Sequence, residues 1–411
     1  MVAQPKMLLV ACSGYETAQL ARDINNILQT NFRLNNQVEL LETVGRSEIS
    51  KEIGKNYRSP LVSDYFADVE VQIDSGRNLL KDVFQGRHII LLEHLLTPNR
   101  LVSEGDTQRV SVNDHIMTIR GFLDIISTAK IETLQRTLVV PYLTYVRSHS
   151  IEKYREQGFH QYDSLRLTLK DYKRDGLDAL VTIDPHSEKA SQISEELGMR
   201  FHGINPFQSG RALNPYKLGL VGENGAEMRK KLRPFQNHFA QMKEKHAGHI
   251  YIVAVDDGTE KRCENFLERA FSEISYEEEL YKLICYFGGD RVSYEDKKIF
   301  SKSFSQIKQH NIDPQGVYIL LDDMYASGGT GNNIAKRLKE WKAFRVELWT
   351  SHAVTMPVQY AKANDRSSID NVVCLDTVPQ NPTLNIEYIQ ASAYLLAAEL
   401  YKVHKKLAST R

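Results

Sequence analysis

Cysteine is scarce in this 411-residue chain, and its four cysteines (Cys12, Cys263, Cys285 and Cys374) never fall at Cys-x-x-Cys spacing. That pattern argues against a disulfide framework and a thiolate zinc site, and it fits reduced thiols in a cytoplasmic protein. No apolar run approaches the ~20 residues of a membrane span. The apolar stretch within residues 1–10 is too short for a signal peptide. An excess of charge of one sign is also missing. Lys and Arg total 52, and so do Asp and Glu, giving a formal net charge of +0. A polyanion groove, and with it nucleic-acid binding, therefore has no electrostatic support. The chain lacks Gly-x-x-x-x-Gly-Lys-Ser/Thr, which excludes an ordinary P-loop. It also lacks Gly-x-Gly-x-x-Gly, which argues against a Rossmann dinucleotide site.

What is present reads as an ordinary globular chain, 42% hydrophobic and 25% charged, long enough for two or three domains. Short apolar β-rich runs alternate with longer amphipathic segments. A first series of candidate strands lies at 8–12, 38–41, 88–92, 137–141 and 180–184. A second lies at 218–221, 250–255, 283–286, 317–321, 346–350 and 372–375. Helical patterns fall between, as at 16–28, 117–127 and 192–197. The alternation predicts an α/β fold with mostly parallel sheets. Ligands of such sheets sit beyond the carboxyl ends of the strands, where Asp184, Asp256 and Asp322 fall. Gly, Pro, Asn and Ser cluster at 203–215 and suggest a boundary there. Polar stretches at 229–246, 272–279 and 293–314 look inserted, as lids, oligomer contacts or solvated helices. A final amphipathic helix is expected over 389–406.

The richest stretch is Val317-Tyr-Ile-Leu-Leu-Asp-Asp-Met-Tyr-Ala-Ser-Gly-Gly-Thr330. An apolar run ends in Asp322 and Asp323. A turn of small residues follows, then Ile334, Ala335, Leu338 and Trp341 at helical spacing. Backbone N–H groups of such a turn and of the helix N-terminus can face a phosphate. The carboxylates can reach ribose hydroxyls or a hydrated Mg²⁺. The plainer alternative is a βα connection whose acids only cap the helix.

Four further segments carry chemistry. Phe66-Ala-Asp68-Val-Glu70-Val71 alternates with its acids on one side, as a site or as a solvent-facing edge strand. Pro141-Tyr-Leu-Thr-Tyr-Val-Arg147 ends a buried strand in an arginine, a natural polyphosphate ligand. Thr182-Ile-Asp184-Pro-His186 puts a carboxylate and an imidazole at a strand tip, to meet a metal or a triphosphate or simply to bond within the loop. Val255-Asp256-Asp257-Gly-Thr-Glu-Lys261-Arg262 is a second strand-to-turn acid pair, followed by two cations.

In order and spacing these five segments resemble the motifs of the ribose-phosphate pyrophosphokinases, or phosphoribosyl-pyrophosphate synthetases. The family's Phe-Ser-Asp-Gly-Glu matches 66–70, its Pro-Tyr-x-x-Tyr-Ala-Arg matches 141–147 and its Thr-Val-Asp-Leu-His matches 182–186. Its Ser-Pro-Asp-Ala-Gly-Gly-x-Lys-Arg matches 254–262, and its Asp-Asp-Met-x-Asp-Thr-x-Gly-Thr matches 322–330. The resemblance runs from about residue 8 to 404. It implies two type I phosphoribosyltransferase-like domains, at 1–205 (ATP side) and 206–388 (ribose-phosphate side), with a helix at 389–411 packing back on them. It also implies a Mg²⁺-dependent transferase that moves the β,γ-diphosphate of ATP to the C1 hydroxyl of ribose 5-phosphate and releases AMP.

By position, Phe66, Asp68 and Glu70 would meet adenine, in the family often across a subunit interface, which implies a homo-oligomer. Arg147 and His186 would hold the ATP phosphates, with His186 and Asp184 at the metal. Asp256, Asp322 and Asp323 would address ribose hydroxyls and metal. Ser327, Gly328, Gly329 and Thr330 would cradle the 5-phosphate. Arg291, Lys261 and Asp323 are assigned to the chemical step.

Three departures stand out. After Arg147 the family continues Gln-Asp-Arg, where this chain has Ser148-His149-Ser150, so part of the nucleotide contact is altered or supplied elsewhere. The third Asp of the phosphate loop is Ala326, and its Thr is Ser327. The family's cationic loop aligns only loosely with Arg291, Lys297 and Lys298. The extra length and Ala326 raise a larger acceptor, such as ADP-ribose, as an alternative to ribose 5-phosphate. The altered loops raise a non-catalytic regulatory relative as another.

Overall fold

The computed structural model describes residues 6–44, 61–66, 68–75, 80–102, 108–147, 155–208, 213–215, 217–220, 222–246, 249–255, 257–270, 284–286, 305–306, 312–355, 368–380 and 384–409. Asp256, Arg291, Lys297, Lys298 and Ser148 to Ser150 lie outside them, as do 272–279 and 293–304 of the expected insertions.

Contacts divide the chain into two units. The first comprises 1–205, 215–228 and 392–411, and the second 206–214 and 229–391. The first unit begins β1 (Met7–Ala11), α1 (Gly14–Thr30), β2 (Val38–Glu42), β3 (Leu61–Tyr65), β4 (Val71–Ser75), β5 (His88–Leu92) and α2 (Val112–Thr128). It continues β6 (Gln135–Val140), α3 (Ser164–Arg174), β7 (Ala179–Ile183), α4 (Lys189–Glu196), β8 (Arg200–Ile204) and α5 (Gly222–Lys231). Its main sheet runs β2-β1-β5-β6-β7-β8, every neighbour parallel. Strands β1 and β5 are buried throughout, as strands covered on both faces must be. Helix α1 forms because Leu20, Ala21, Ile24, Ile27 and Leu28 share one face, and that face is buried. Ser111 and Asp114 start α2 with a reciprocal capping box.

The second unit holds α6 (Pro234–His246), β9 (Ile250–Ala254), α7 (Asp257–Ala270), β10 (Ile284–Tyr286), β11 (Ser305–Gln306) and β12 (Val317–Tyr325). Then follow α8 (Gly329–Glu340), β13 (Arg345–Ala353), β14 (Asn371–Leu375) and β15 (Glu387–Ile389). Its parallel sheet runs β11-β10-β9-β12-β13-β14-β15. Ile334, Ala335 and Leu338 of α8 pack on Leu320, Val346 and Leu348. The C-terminal helix α9 (Ser392–Ser409) packs on α1, β7 and β8 of the first unit. This is the expected α/β architecture, with mostly parallel sheets flanked by helices.

Each sheet reverses its winding once. In the first unit the chain goes from β1 to β2 on one side and then to β5 on the other. In the second it goes from β9 to β10 on one side and to β12 on the other. Such switch points open a crevice beyond the carboxyl ends of the two strands, where ligands of open α/β sheets bind.

Several local expectations are corrected. Phe66 and 68–70 do not form an edge strand but lie between β3 and β4, which pair antiparallel as a hairpin. Phe66 N–H donates to Glu70 O at 2.8 Å and Val69 takes φ 72. The described part of 218–221 is a turn, closed by Leu218 and Leu220 N–H on Pro215 O, with Gly219 at φ 77. Strand β12 does not stop at the carboxylates. It runs on to Tyr325, which pairs with Ala353. The polar stretch 229–246 yields a packed helix, because Phe235, Phe239 and Met242 recur at helical spacing and are buried. The final helix starts at Ser392, since 387–389 pair with β14 as β15.

Candidate functional site

In the second unit, the switch between β9 and β12 is where the acid pair sits. Asp323 is buried and Asp322 half-buried, and Asp323 N–H donates to Asp322 Oδ1 at 2.8 Å. Burial, then the neighbouring Asp323, holds the Asp322 carboxyl well above the usual carboxylate range. Two carboxylates this close cannot both ionise at low cost, so around neutral pH the pair retains a proton. Arg262 of α7 opposes that shift, and its guanidinium lies 5.1 Å from the Phe207 ring centroid. Lys261 is exposed on the same helix. Of the two adjacent cations, Arg262 is thus the one whose charge is felt at the pair.

Past Tyr325 the chain turns through Ala326, half-buried, and Ser327, exposed. Gly328 at φ 68 leads into α8 as its N-cap and brings no side chain to cap it. A Cβ at Gly328 would lie 2.8 Å from Tyr325 Cε2. Glycine is required here twice over, by the left-handed backbone and by the tyrosine ring. Gly329 and Thr330 form the exposed first turn of α8, whose N–H groups and dipole favour an anion.

In the first unit, the segments that follow β6 and β7 are held in sparsely populated backbone. Tyr145 has φ 64, Asp184 φ 40 and His186 φ 61. Asp184 is buried, donates its N–H to Ile204 O at 2.8 Å, and accepts from His186 N–H at 2.8 Å. His186 is half-buried and Arg147 exposed. Tyr145 donates its hydroxyl to Asn113 at 2.6 Å, tying that turn to α2. Among the described residues eight non-glycine positions have positive φ. Four of them (Val69, Tyr145, Asp184 and His186) fall in the three motifs of this unit. Left-handed residues cost stability and persist where the surroundings fix them, as at functional sites.

In the hairpin turn, Phe66 is 45% exposed, and Glu70 N–H reaches Asp68 Oδ1 at 3.4 Å. Thus Asp184, His186 and Arg147 share one sheet edge, and Asp322, Asp323 and the 327–330 turn share another. Among the described residues no three His, Cys, Asp or Glu side chains converge on a metal. The acid pair alone is a donor set of the kind Mg²⁺ uses, since that ion keeps waters and substrate phosphates as its other ligands.

The motifs pass over a second constellation, at the β1/β5 switch. Glu93 is fully buried. Its Oε2 accepts from the Ser13 hydroxyl at 2.7 Å, and its Oε1 from the Thr17 hydroxyl and His94 N–H, both at 3.0 Å. His115 Nδ1, also buried, is 3.2 Å from Oε1, within ion-pair range but off the line of a good hydrogen bond. Its Nε2 is 2.9 Å from the Thr97 hydroxyl. The signal was the Glu93-His94 pair directly after the apolar run at 88–92 and before Leu95-Leu96.

No protein-family model matches the chain. A ribose-phosphate pyrophosphokinase of Prochlorococcus marinus is 21% identical over 381 residues, covering 90% of this chain and 92% of that protein. Among solved structures, the phosphoribosylpyrophosphate synthetase from Mycobacterium smegmatis aligns with a TM-score of 0.61 at 15% identity, over 98% of this chain and all of the other. The fold is therefore that of a phosphoribosylpyrophosphate synthetase.

Proposed function

We propose that this chain, a divergent relative of the ribose-phosphate pyrophosphokinases, is a diphosphokinase. It takes the β,γ-diphosphate of ATP to the C1 hydroxyl of a 5-phosphorylated ribose and releases AMP. The observation that carries the reading is the β9/β12 switch, where a proton-retaining Asp322–Asp323 pair precedes a left-handed glycine and an uncapped helix N-terminus. That arrangement suits a ribose diol beside a phosphate. The carboxylates accept hydrogen bonds from ribose hydroxyls and orient C1, and the 327–330 turn holds the 5-phosphate.

Mg²⁺ bound with the nucleotide would neutralise charge developing on the transferred group. Asp322 and Asp323 would hold it on the acceptor side, with His186 and Asp184 on the nucleotide side. Arg147 and His186 would bind the ATP phosphates, and Phe66, Asp68 and Glu70 the adenine of a neighbouring copy in a homo-oligomer. Asp256 would join the ribose contacts. Lys261 and Arg291 are the proposed cations of the chemical step, and the position of Arg262 makes it a third candidate.

Ala326 favours a second acceptor. Where the family pattern has a carboxylate beside the phosphate turn, this chain has a methyl group. Losing that negative charge leaves room and electrostatic tolerance for a second phosphate joined to the first, as in ADP-ribose, which offers the same ribose C1 hydroxyl. Incubation with ATP, Mg²⁺ and either acceptor, read by mass spectrometry, tests both. A product heavier than its acceptor by one diphosphate, with AMP in equal amount, is expected. ATP hydrolysis without acceptor modification would contradict the reading.

A further inference from the structure

The resemblance leaves the first unit short of nucleotide contacts, because the Gln-Asp-Arg after Arg147 is replaced. It also leaves the β1/β5 switch crevice, topologically the ligand position of this sheet, without an assigned role. Arg100 lies there. It follows β5 in the segment leading to α2, and its Nη1 donates to Ser13 Oγ at 2.9 Å. The guanidinium rests on Gly14, the first residue of α1. A Cβ on Gly14 would stand 2.3 Å from Nη1 and 2.5 Å from Cζ, and Gly14 has φ 72. Only glycine admits the arginine in this seat.

The seat is anchored from below. Ser13 spends its one hydroxyl proton on Glu93, so it can only accept from Arg100, which fixes the direction of both bonds. Thr17 and His94 N–H fix Glu93 in turn, with His115 beside it. The side chain that would ordinarily cap α1 is therefore diverted, and Ser13 makes no cap bond. Arg100 is half-buried and forms no direct ion pair with a described residue; Glu93 is reached through the Ser13 hydroxyl. A guanidinium carries five donors, and one is used on Ser13. Its charge reaches the Tyr65 hydroxyl, whose pKa burial raises to about 12 against the opposing pull of Arg100. Tyr65 is the last residue of β3, directly before Phe66, so the charge of the arginine is felt at the base of that hairpin.

We propose that Arg100, preorganised by Ser13, Gly14 and Glu93, is a phosphate-binding residue at the β1/β5 switch of the first unit. Its identification with the nucleotide rests on the diphosphokinase reading. The phosphate itself has two possible sources, the phosphate chain of ATP or free inorganic phosphate. Parallel strands are about 4.8 Å apart, so the carboxyl ends of β1 and β6 are about 10 Å apart, a gap a polyphosphate can bridge toward Arg147. Arg100 touches the ligand, whereas Glu93 and Ser13 act through it as positioning residues.

The test is calorimetric titration of the full chain, and of its Arg100→Ala and Arg100→Lys variants, with α,β-methylene-ATP and separately with inorganic phosphate. Thermal unfolding of each variant establishes that it is folded. Loss of a charge-assisted contact is expected to weaken binding about tenfold or more in Arg100→Ala. Arg100→Lys should recover part of the affinity. A loss confined to the ATP analogue assigns the subsite to the nucleotide, and then the KM for ATP rises while the KM for the acceptor does not. A loss confined to phosphate makes it a separate anion site. Unchanged affinity for both ligands in folded Arg100→Ala overturns the proposal. Should the wild-type chain bind phosphate through Arg100 but no nucleotide, the subsite stands and the diphosphokinase reading falls. Failure of the wild-type chain to bind either ligand contradicts both.

Discussion

The hydroxyl of Ser13 donates to Glu93 at 2.7 Å, and through it the start of α1 is locked to the end of β5, eighty positions along the chain. Glu93 is fully buried, so its removal would strip the Ser13 and Thr17 hydroxyls of their acceptor. Breaking a buried charge network by deleting one partner costs about 3–5 kcal/mol. Glu93→Ala should therefore lower the unfolding free energy by that order, and Glu93→Gln by less. Urea titration checks both, and a loss below about 1 kcal/mol for Glu93→Ala would count against the hydrogen-bonded network around Glu93.

Divalent-cation binding at the Asp322–Asp323 pair should strengthen as pH rises through neutrality. The raised Asp322 pKa means the free pair carries a proton that the cation must displace. Calorimetry of Mg²⁺ binding in buffers of different ionisation enthalpy would detect the released proton. Asp323→Asn removes the second charge, lets Asp322 ionise at lower pH, and should flatten the pH dependence. A cation affinity independent of pH in the wild-type chain would contradict a shared proton.

Gly328→Ala places a Cβ 2.8 Å from the Tyr325 ring at φ 68. A left-handed non-glycine residue costs about 1–2 kcal/mol by itself, and the ring must also move. Acceptor KM should rise while KM for ATP changes little, because the two substrates are assigned to different units. A variant with unaltered acceptor KM would remove the 327–330 turn from the acceptor site.

Acid should destabilise the first unit at its C-terminal helix. His88 and His404 stack with ring centroids 5.6 Å apart and Nδ1 atoms at 3.3 Å. Burial, then His404 and Arg200, lowers the His88 pKa to about 3. A depressed histidine pKa contributes stability that is present above the unfolded value near 6.5. That stability is lost as pH falls from there toward about 3. The loss is on the order of a few kcal/mol. Hydrogen exchange should show α9 opening earlier than β5 between pH 7 and 5, and His88→Gln should blunt that response. Equal protection of α9 at both pH values would contradict it.

Much of this was legible in the sequence, because the apolar runs of β6, β7, β9 and β12 have no plausible exposed conformation and four of the five motifs sit at their carboxyl ends. What was not legible depended on pairing. Whether 66–70 is strand or turn is decided by Leu61–Tyr65 pairing back on Val71–Ser75. The reach of β12 beyond its carboxylates is decided by β13 beside it. Ser13 lies eighty or more positions before Glu93 and Arg100, and none of the three matches a motif. Only the strand order brings them to one crevice. Lys261 and Arg262 were equivalent in sequence, and helix phase distinguishes them.

Diphosphoryl transfer is read by following AMP and the acceptor product together. Purified chain is incubated with ATP, Mg²⁺ and either ribose 5-phosphate or ADP-ribose, with ³¹P spectra and mass spectrometry of the products. The expected result is one AMP per diphosphorylated acceptor, abolished in Asp323→Ala, with ADP-ribose turned over at least as well as ribose 5-phosphate if Ala326 sets the choice. Release of ADP rather than AMP, or no acceptor product with either sugar, would contradict a diphosphokinase.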